Sequence, residues 1–394
     1  MSTSLDIAEI VRRFANDYIT QFGDVMLPSQ KKAMFDIATC QTAVRGGQRF
    51  RCDDCTHSYW VYHGCKNRSC PKCHGSQIAT WLAEREKELL PCAYFHLVAT
   101  VPDELRTACL KHQKFMYGLL LNVVATELMA LASEERFIGA TPAVLAVLHT
   151  WNARLGFHPH VHLLISAGGV VDNGTEWHET KASFLVPVKL LSKRIAHALQ
   201  QSIKAKHPEL LAEIPAKAWK AKWCSFCVPY GRGEKAVLNY LGRYVFRTAI
   251  TNHRIVAVTE TEVTFCYKDR KKNTMRNETV SGMEFLRRYL LHVLPKGFHK
   301  IRYYGLWHSS KKALQMVARV LLIFRKPVGK VVPLLTSEVA QCERLAAKHY
   351  GECCPKCSSE RVRLIGESKR VVIPYEDVQR GMFGWLKTLA RGDP

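Results

Sequence analysis

The sequence predicts an α+β fold built on a mostly antiparallel sheet, and three observations carry that prediction. Runs with strand character recur at 94–101, 143–151, 158–166 and 255–267. Helical stretches lie between them without the regular strand–helix alternation of a parallel sheet. Six cysteines crowd between Cys40 and Cys73, in a segment too small to bury a core of its own.

Residues 5–38 read as helical and amphipathic, with Ile7, Ile10, Val11 and Phe14 on one stripe. The cysteine-rich segment follows, then a charged helix over 78–90 that Pro91 stops. The region 103–136 is helical. Its apolar part, 119–132, spans about 14 residues against the ~20 that a bilayer demands, so it reads as a buried helix and not a membrane span. The basic, Pro-punctuated stretch 201–222 reads as a solvated helical insertion, and beyond Lys326 the pattern weakens. At about 150 residues per domain, 394 residues make two or three. The expected division is 1–90, helical and zinc-binding; 91–325, carrying the histidine strand and a tyrosine helix; and 326–394, a C-terminal appendage.

Composition excludes a disordered chain, with 47% hydrophobic residues and 23% charged ones. Fifty-seven Lys and Arg against thirty-four acidic residues leave a formal charge of +23. Such a balance calls for a polyanionic partner, nucleic acid before an anionic membrane surface. The N-terminus lacks a basic start followed by an apolar run, so a cytoplasmic, reducing compartment is expected, and clustered cysteines there mean metal rather than disulfides.

Cys52-x-x-Cys55 and Cys70-x-x-Cys73 are fourteen residues apart. Two such turns close a tetrahedral four-sulfur Zn²⁺ site with no position for catalytic water. Cys40 and Cys65, with His57, His63 and His74 nearby, would allow a second zinc. Arg45, Arg49, Arg51, Lys66, Arg68 and Lys72 around this segment suit DNA phosphates. Cys224-x-x-Cys227 and Cys354-x-x-Cys357 each offer half a zinc site without an evident second half, and read as free thiols.

In the strand 158–166 alternate residues share a face, so His160 and His162 project together, about 6 to 7 Å apart, and can reach one divalent cation. A symmetric hairpin closing at 153–156 would set His149 directly across from His160, as a third ligand. His96 is the alternative. On a helix over 235–249, Tyr240, Arg243, Tyr244 and Arg247 share one stripe, opposite Leu238, Leu241 and Val245. Two phenols one turn apart, each beside a guanidinium, suit phosphodiester chemistry, because a phenol can hold a phosphate covalently and Arg forks stabilise its charge.

The order CxxC…CxxC, HTW…HPHVHLLI, YLGRYVFRTAITNHRI, YKD and LLHVLPKGFHKIRYYG resembles the two-tyrosine HUH transposases of the insertion sequence 91 family, over roughly residues 35–310. The resemblance implies an HUH endonuclease-type antiparallel sheet with flanking helices, and rolling-circle transposition on single-stranded transposon ends. It implies Mg²⁺ or Mn²⁺ on His160 and His162, Tyr240 and Tyr244 as nucleophiles forming a 5′-phosphotyrosine, host replication proteins as possible partners, and a bacterial, nucleoid-associated enzyme. Lys268 would neutralise phosphate, and Asp269 would either support it or serve the fold alone. The competing expectations are an HUH replication initiator or relaxase, and a zinc-dependent DNA-binding regulator without catalysis.

Overall fold

The computed structural model describes residues 5–73, 89–171, 173–181, 183–232, 237, 240, 244, 245, 247–269, 272–324 and 353–373. The helix expected over 78–90 lies mostly outside the described residues, as do Arg243, His74, Leu238 and Leu241.

Eight helices with full bounds are described: α1 (Ile7–Phe22), α2 (Pro28–Ala38), α3 (Arg106–Lys111), α4 (Gln113–Ala132), α5 (Val188–Lys206), α6 (Pro208–Glu213), α7 (Gly282–Leu290) and α8 (Lys312–Phe324). The strands are β1 (Gly47–Cys52), β2 (Ser58–Tyr62), β3 (Ala93–Thr100), β4 (Thr141–Trp151), β5 (Phe157–Val170), β6 (Trp177–Glu179), β7 (Cys224–Arg232), β8 (Ile255–Val258), β9 (Glu262–Asp269), β10 (Thr274–Ser281), β11 (Ile301–Gly305) and β12 (Val362–Ser368). They form three sheets, all with antiparallel pairing: β11-β4-β5-β3-β7 with β6 beside β5, β10-β9-β8, and β12-β1-β2.

Period-two alternation divides the large sheet into two faces. Val144, Ala146 and Leu148 of β4 and Val161, Leu163 and Ile165 of β5 pack with the apolar side chains of α4 and α5. By length and composition α4 could cross a membrane, but most of it is buried in this core. The stretch 201–222 is a correction: Ile203, Leu210, Ile214 and Ala218 are buried in the same core, so its basic residues ride on an apolar face and it is not a solvated insertion. The run 255–267 is a second correction, since it is two strands. Thr259 reverses the chain by pairing its backbone N–H with the Glu262 carbonyl (2.9 Å) and its hydroxyl oxygen with the Glu262 N–H (2.9 Å).

The β4–β5 connection, 152–156, is held at three points. Asn152 Oδ1 accepts the N–H groups of Arg154 and Gly156, both at 2.9 Å. Leu155 takes a left-handed φ of 61° and is fully buried among side chains of α1, α2 and α7. His292 donates Nε2–H to the Leu155 carbonyl (3.1 Å) and receives the Thr150 hydroxyl at Nδ1 (3.1 Å).

Beside this second core, the buried Asp36 carboxylate of α2 accepts from Arg45 (2.8 Å), Lys32 (2.6 Å) and Asn67 (2.9 Å). Arg45 is equally buried and cannot be the DNA contact its position in sequence suggested. Removing the carboxylate strands a buried guanidinium. Asp36→Ala should therefore cost about 3 to 5 kcal/mol in urea unfolding. Burial pulls the His292 pKa down to about 4. Its neutral form belongs to the fold, so between the unfolded value near 6.5 and about 4 the unfolded chain binds the extra proton. Stability should fall as pH drops through that window, by up to about 3 kcal/mol from this residue. His292→Gln should flatten that part of the urea midpoint–pH profile.

Candidate catalytic centre and zinc sites

The β4–β5 register pairs Val144 with Ile165 and His149 with His160, as a symmetric hairpin requires. His149, His160 and His162 consequently share the sheet face opposite α4, and one ring nitrogen from each lies within 4.8 Å of the others. Carbonyl partners fix two tautomers. His149 donates Nε2–H to the Tyr244 carbonyl (2.6 Å), leaving the Nδ1 lone pair, and His160 donates Nδ1–H to the His158 carbonyl (2.7 Å), leaving that of Nε2.

His162 stands 3.1 Å from His160, Nε2 to Nε2, close to the separation of two nitrogens bound to one ion at ~2.1 Å. Its Nδ1 meets His96 Nε2 at 2.9 Å. His96 is thus behind His162 rather than beside His160, and accepts the proton that frees His162 Nε2 for an ion. Burial first, and the neighbouring imidazoles and cations second, hold His149 and His162 well below the ordinary histidine range. Neutral imidazole is the ligating form. His158 is also depressed by burial and by Arg106, whose guanidinium meets its Nδ1 at 2.9 Å.

The tyrosine segment crosses this same face. Val237 and Tyr240 are helical, and Tyr244 and Val245 lie in a π-helical turn. The Tyr244 ring stands 4.3 Å from His162, 4.7 Å from His96 and 4.8 Å from Tyr240. Tyr244 is half-buried, whereas Tyr240 is fully buried with a hydroxyl that has no hydrogen-bond partner among the described residues. Desolvation pushes the Tyr240 phenol well above its usual value. The expected division of the helix into a polar tyrosine face and an apolar face does not hold here, since Tyr240 and Val245 are buried in one cluster.

Beside His149, which stacks on Trp151 at 4.5 Å, a cavity is lined by Arg68, Trp151, Arg247, Thr248, His292 and Lys300. Burial and Arg68 pull Lys300 down to about 8. Arg68 arrives from the cysteine-rich loop, anchored on the carbonyls of Leu294 (2.9 Å), Pro295 (2.6 Å) and Phe298. The LPKGF stretch therefore docks that loop against the histidine site. Lys268 lies elsewhere, exposed on β9 opposite Met275, with Asp269 paired to Arg276 at 3.4 Å. Neither Arg68 nor Lys300 is suggested by local spacing. Arg68 reads as one more basic loop residue, and Lys300 lies inside the motif LLHVLPKGFHKIRYYG without any role that the motif singles out.

The cysteines regroup. Cys40, Cys65, Cys70 and Cys73 form one cluster, with Cys40 and Cys65 at 3.5 and 3.6 Å from Cys73. Four sulfurs at ~2.3 Å from a tetrahedral Zn²⁺ stand ~3.8 Å apart, so the set fits a structural zinc. The Lys66 N–H points at Cys73 Sγ (3.3 Å), and sulfur contacts from Cys40, Cys65 and Cys70 hold the Cys73 thiol far below its ordinary value. The expected pairing of Cys52-x-x-Cys55 with Cys70-x-x-Cys73 is corrected, because β1 and β2 carry the first pair away from the second. Cys52 and Cys55 instead meet Cys354 and Cys357. Cys224 and Cys227 are on β7, with Cys227 partly buried against the main core, and His57 stacks on Tyr59 instead of joining a thiol cluster. Of the basic residues near the clusters, Lys72 pairs with Asp6 at 2.6 Å, while Arg49, Arg51 and Lys66 are exposed.

Comparison with known proteins agrees with this architecture. Residues 143–314 match the family described as "Putative transposase" (Y2_Tnp), and residues 10–101 match the "Transposase zinc-binding domain" of the insertion sequence 91 type. The chain is 36% identical to "Putative transposase y4qJ" of Sinorhizobium fredii over 317 residues, 76% of this chain and 79% of that protein. It is 27% identical to "Transposase for insertion sequence element IS801" of Pseudomonas savastanoi pv. phaseolicola over 286 residues, 68% of this chain and 67% of that one. No solved structure matches. With a zinc-binding N-terminal region, an antiparallel sheet presenting three histidines and a tyrosine pair laid across them, the chain belongs to the insertion sequence 91 family of transposases, proteins that act on DNA.

Proposed function

We propose that this transposase nicks and rejoins single-stranded DNA at transposon ends through a 5′-phosphotyrosine intermediate, during rolling-circle transposition. The observation that carries the reading is the Tyr244 ring 4.3 Å from His162, over a face where one ring nitrogen from each of His149, His160 and His162 lies within 4.8 Å of the others. His149, His160 and His162 would hold Mg²⁺ or Mn²⁺. An ion bound there supplies Lewis-acid polarisation of the scissile phosphate.

The chain's own residues do the rest. The Tyr244 oxygen attacks phosphorus, the bond to the 3′ oxygen breaks, the phenolic proton leaves to solvent, and the 3′ oxygen is released as a hydroxyl. That hydroxyl would prime synthesis by host replication proteins. Arg247, with Lys300 and Arg68 in the adjoining cavity, balances phosphate charge. Arg243 and Lys268, the other cations expected to act here, lie respectively outside the described residues and on β9.

Tyr244 is the nucleophile presented in this conformation. Tyr240, with a buried hydroxyl that has no partner among the described residues, would act second, after the π-helical turn at Tyr244 and Val245 shifts. Two nucleophiles let one chain hold a 5′ end while a second strand is cut.

Binding surfaces lie outside this centre. On the sheet β12-β1-β2, Arg49 sits opposite Trp60, and Trp60 and Tyr62 on the same face are nearly parallel at 5.9 Å. Trp60 is 40% exposed. The exposed Trp60 ring and the partly buried Tyr62 ring, flanked by Arg49, Arg51 and Arg363, make a stacking platform for unpaired bases with phosphate partners at its edge. In this reading residues 1–90 grip DNA and 91–325 cut it. Within 326–394, the described part joins the gripping unit.

With single-stranded transposon-end oligonucleotides and Mn²⁺, the wild-type protein should form a covalent adduct that resists denaturation. Tyr244→Phe should abolish the first adduct, whereas Tyr240→Phe should keep it and lose strand transfer. DNA binding without an adduct in the wild type would instead identify a regulator. Because Tyr240→Phe also removes a buried hydroxyl that has no partner among the described residues, it should raise stability by on the order of 1 kcal/mol in urea. His96→Leu should weaken Mn²⁺ binding by roughly 10- to 100-fold in isothermal titration, because His162 loses the acceptor that fixes its tautomer.

A further inference from the structure

Cys52 and Cys55 come from the start of the chain, and Cys354 and Cys357 from near its end, beyond the residues that match a zinc-binding domain. The two pairs interleave: Cys52 Sγ lies 3.6 Å from Cys357 Sγ, and Cys55 Sγ 3.5 Å from Cys354 Sγ. All four sulfurs fall within 4.8 Å of one another.

The two turns are also built alike. The Cys52 N–H bonds to the carbonyl five residues on, at His57 (2.9 Å), and the Cys354 N–H bonds to the carbonyl five residues on, at Ser359 (2.8 Å). After the second cysteine of each pair the backbone turns left-handed, at Thr56 (φ 59°) and Ser358 (φ 60°). Neither Thr nor Ser favours that conformation. Its appearance at matching positions of two unrelated segments reflects one geometric demand, that a Cys-x-x-Cys loop curl until both thiolates face a single ion.

We propose that Cys52, Cys55, Cys354 and Cys357 bind a second structural Zn²⁺, which clasps the C-terminal segment onto the N-terminal sheet. β12 then pairs with β1 along Gly47–Cys52, so the platform bearing Trp60 and Tyr62 gains a third strand from the far end of the chain. Around the clasp, Arg363 pairs with Asp53 at 3.1 Å, Arg361 pairs with Asp54, and the Tyr59 hydroxyl donates to the Cys353 carbonyl at 3.2 Å. These exposed contacts are individually weak, and the metal is what makes the closure durable.

Two measurements test the clasp without using activity. In a His160→Ala, His162→Ala background, which removes the histidine site from the count, elemental analysis should find two zinc ions per chain. Adding Cys354→Ser and Cys357→Ser should reduce the count to one. One zinc before those changes, or two after them, overturns the proposal. Alkylation of the native wild-type protein by iodoacetamide gives a second answer that does not depend on a variant folding. Cys353 and Cys357 are both exposed, but only Cys357 is in the cluster. Cys353 should react at once, and Cys357 only after a chelator strips the metal, together with Cys52, Cys55 and Cys354. Equal rates at Cys353 and Cys357 before chelation would sink the clasp.

Discussion

The register of the β4–β5 hairpin is the constraint on which the histidine face depends. Side chains alternate along a strand, so a slip by one residue would turn His149 into the layer filled by α4 while His160 stayed outside. Two things prevent the slip. The alternating apolar residues of both strands are committed to the α4–α5 core, and Leu155 at the hairpin tip is buried in a different core with its carbonyl held by His292. The hairpin is gripped at its flank and its end by two independent hydrophobic clusters, and the imidazoles are placed as a by-product of that packing.

The tyrosine segment shows the opposite economy. It rests on a well-packed face, yet it carries a π-helical turn at Tyr244 and a buried phenol at Tyr240 without a partner among the described residues. Buried polar groups in folded proteins almost always find partners, because leaving one bare costs on the order of 1 to 3 kcal/mol. Such costs persist where the surrounding fold over-determines them, and they collect at functional sites. The sheet beneath, with its fully buried strands, tolerates a helix that is locally less stable than it could be.

The cysteine clusters follow a third logic. The described residues include six non-glycine positions with left-handed φ, and four of them, Gln41, Thr56, Lys66 and Ser358, directly follow a clustered cysteine. Cys40, Cys70 and Cys73 also sit within the second apolar core, yet at all four positions the backbone bends where a cluster of thiolates must face one ion. Arg68, projecting from the loop between Cys65 and Cys70, is held by the carbonyls of Leu294 and Pro295, and through it the cysteine-rich loop helps line the cavity beside the histidines.

By itself the sequence determined what is local. Two strand-forming runs, 143–151 and 158–166, about a short connection were enough to foresee the hairpin; the pleat put His160 and His162 on one face, and a symmetric closure, taken as an assumption, put His149 opposite His160. The Cys-x-x-Cys spacings were legible for the same reason, since the bite of two thiolates is set within four residues. Tertiary structure alone decided which pairs meet. Cys52 and Cys55 join cysteines some 300 residues away because β12 completes their sheet. It also decided that His96 backs His162, that Lys300 and Arg68 share a cavity with Arg247, and that Tyr240 is buried while Tyr244 faces the histidines. These are contacts between segments remote in the chain, and no short-range periodicity encodes them. They exist only once three sheets and three cores have packed.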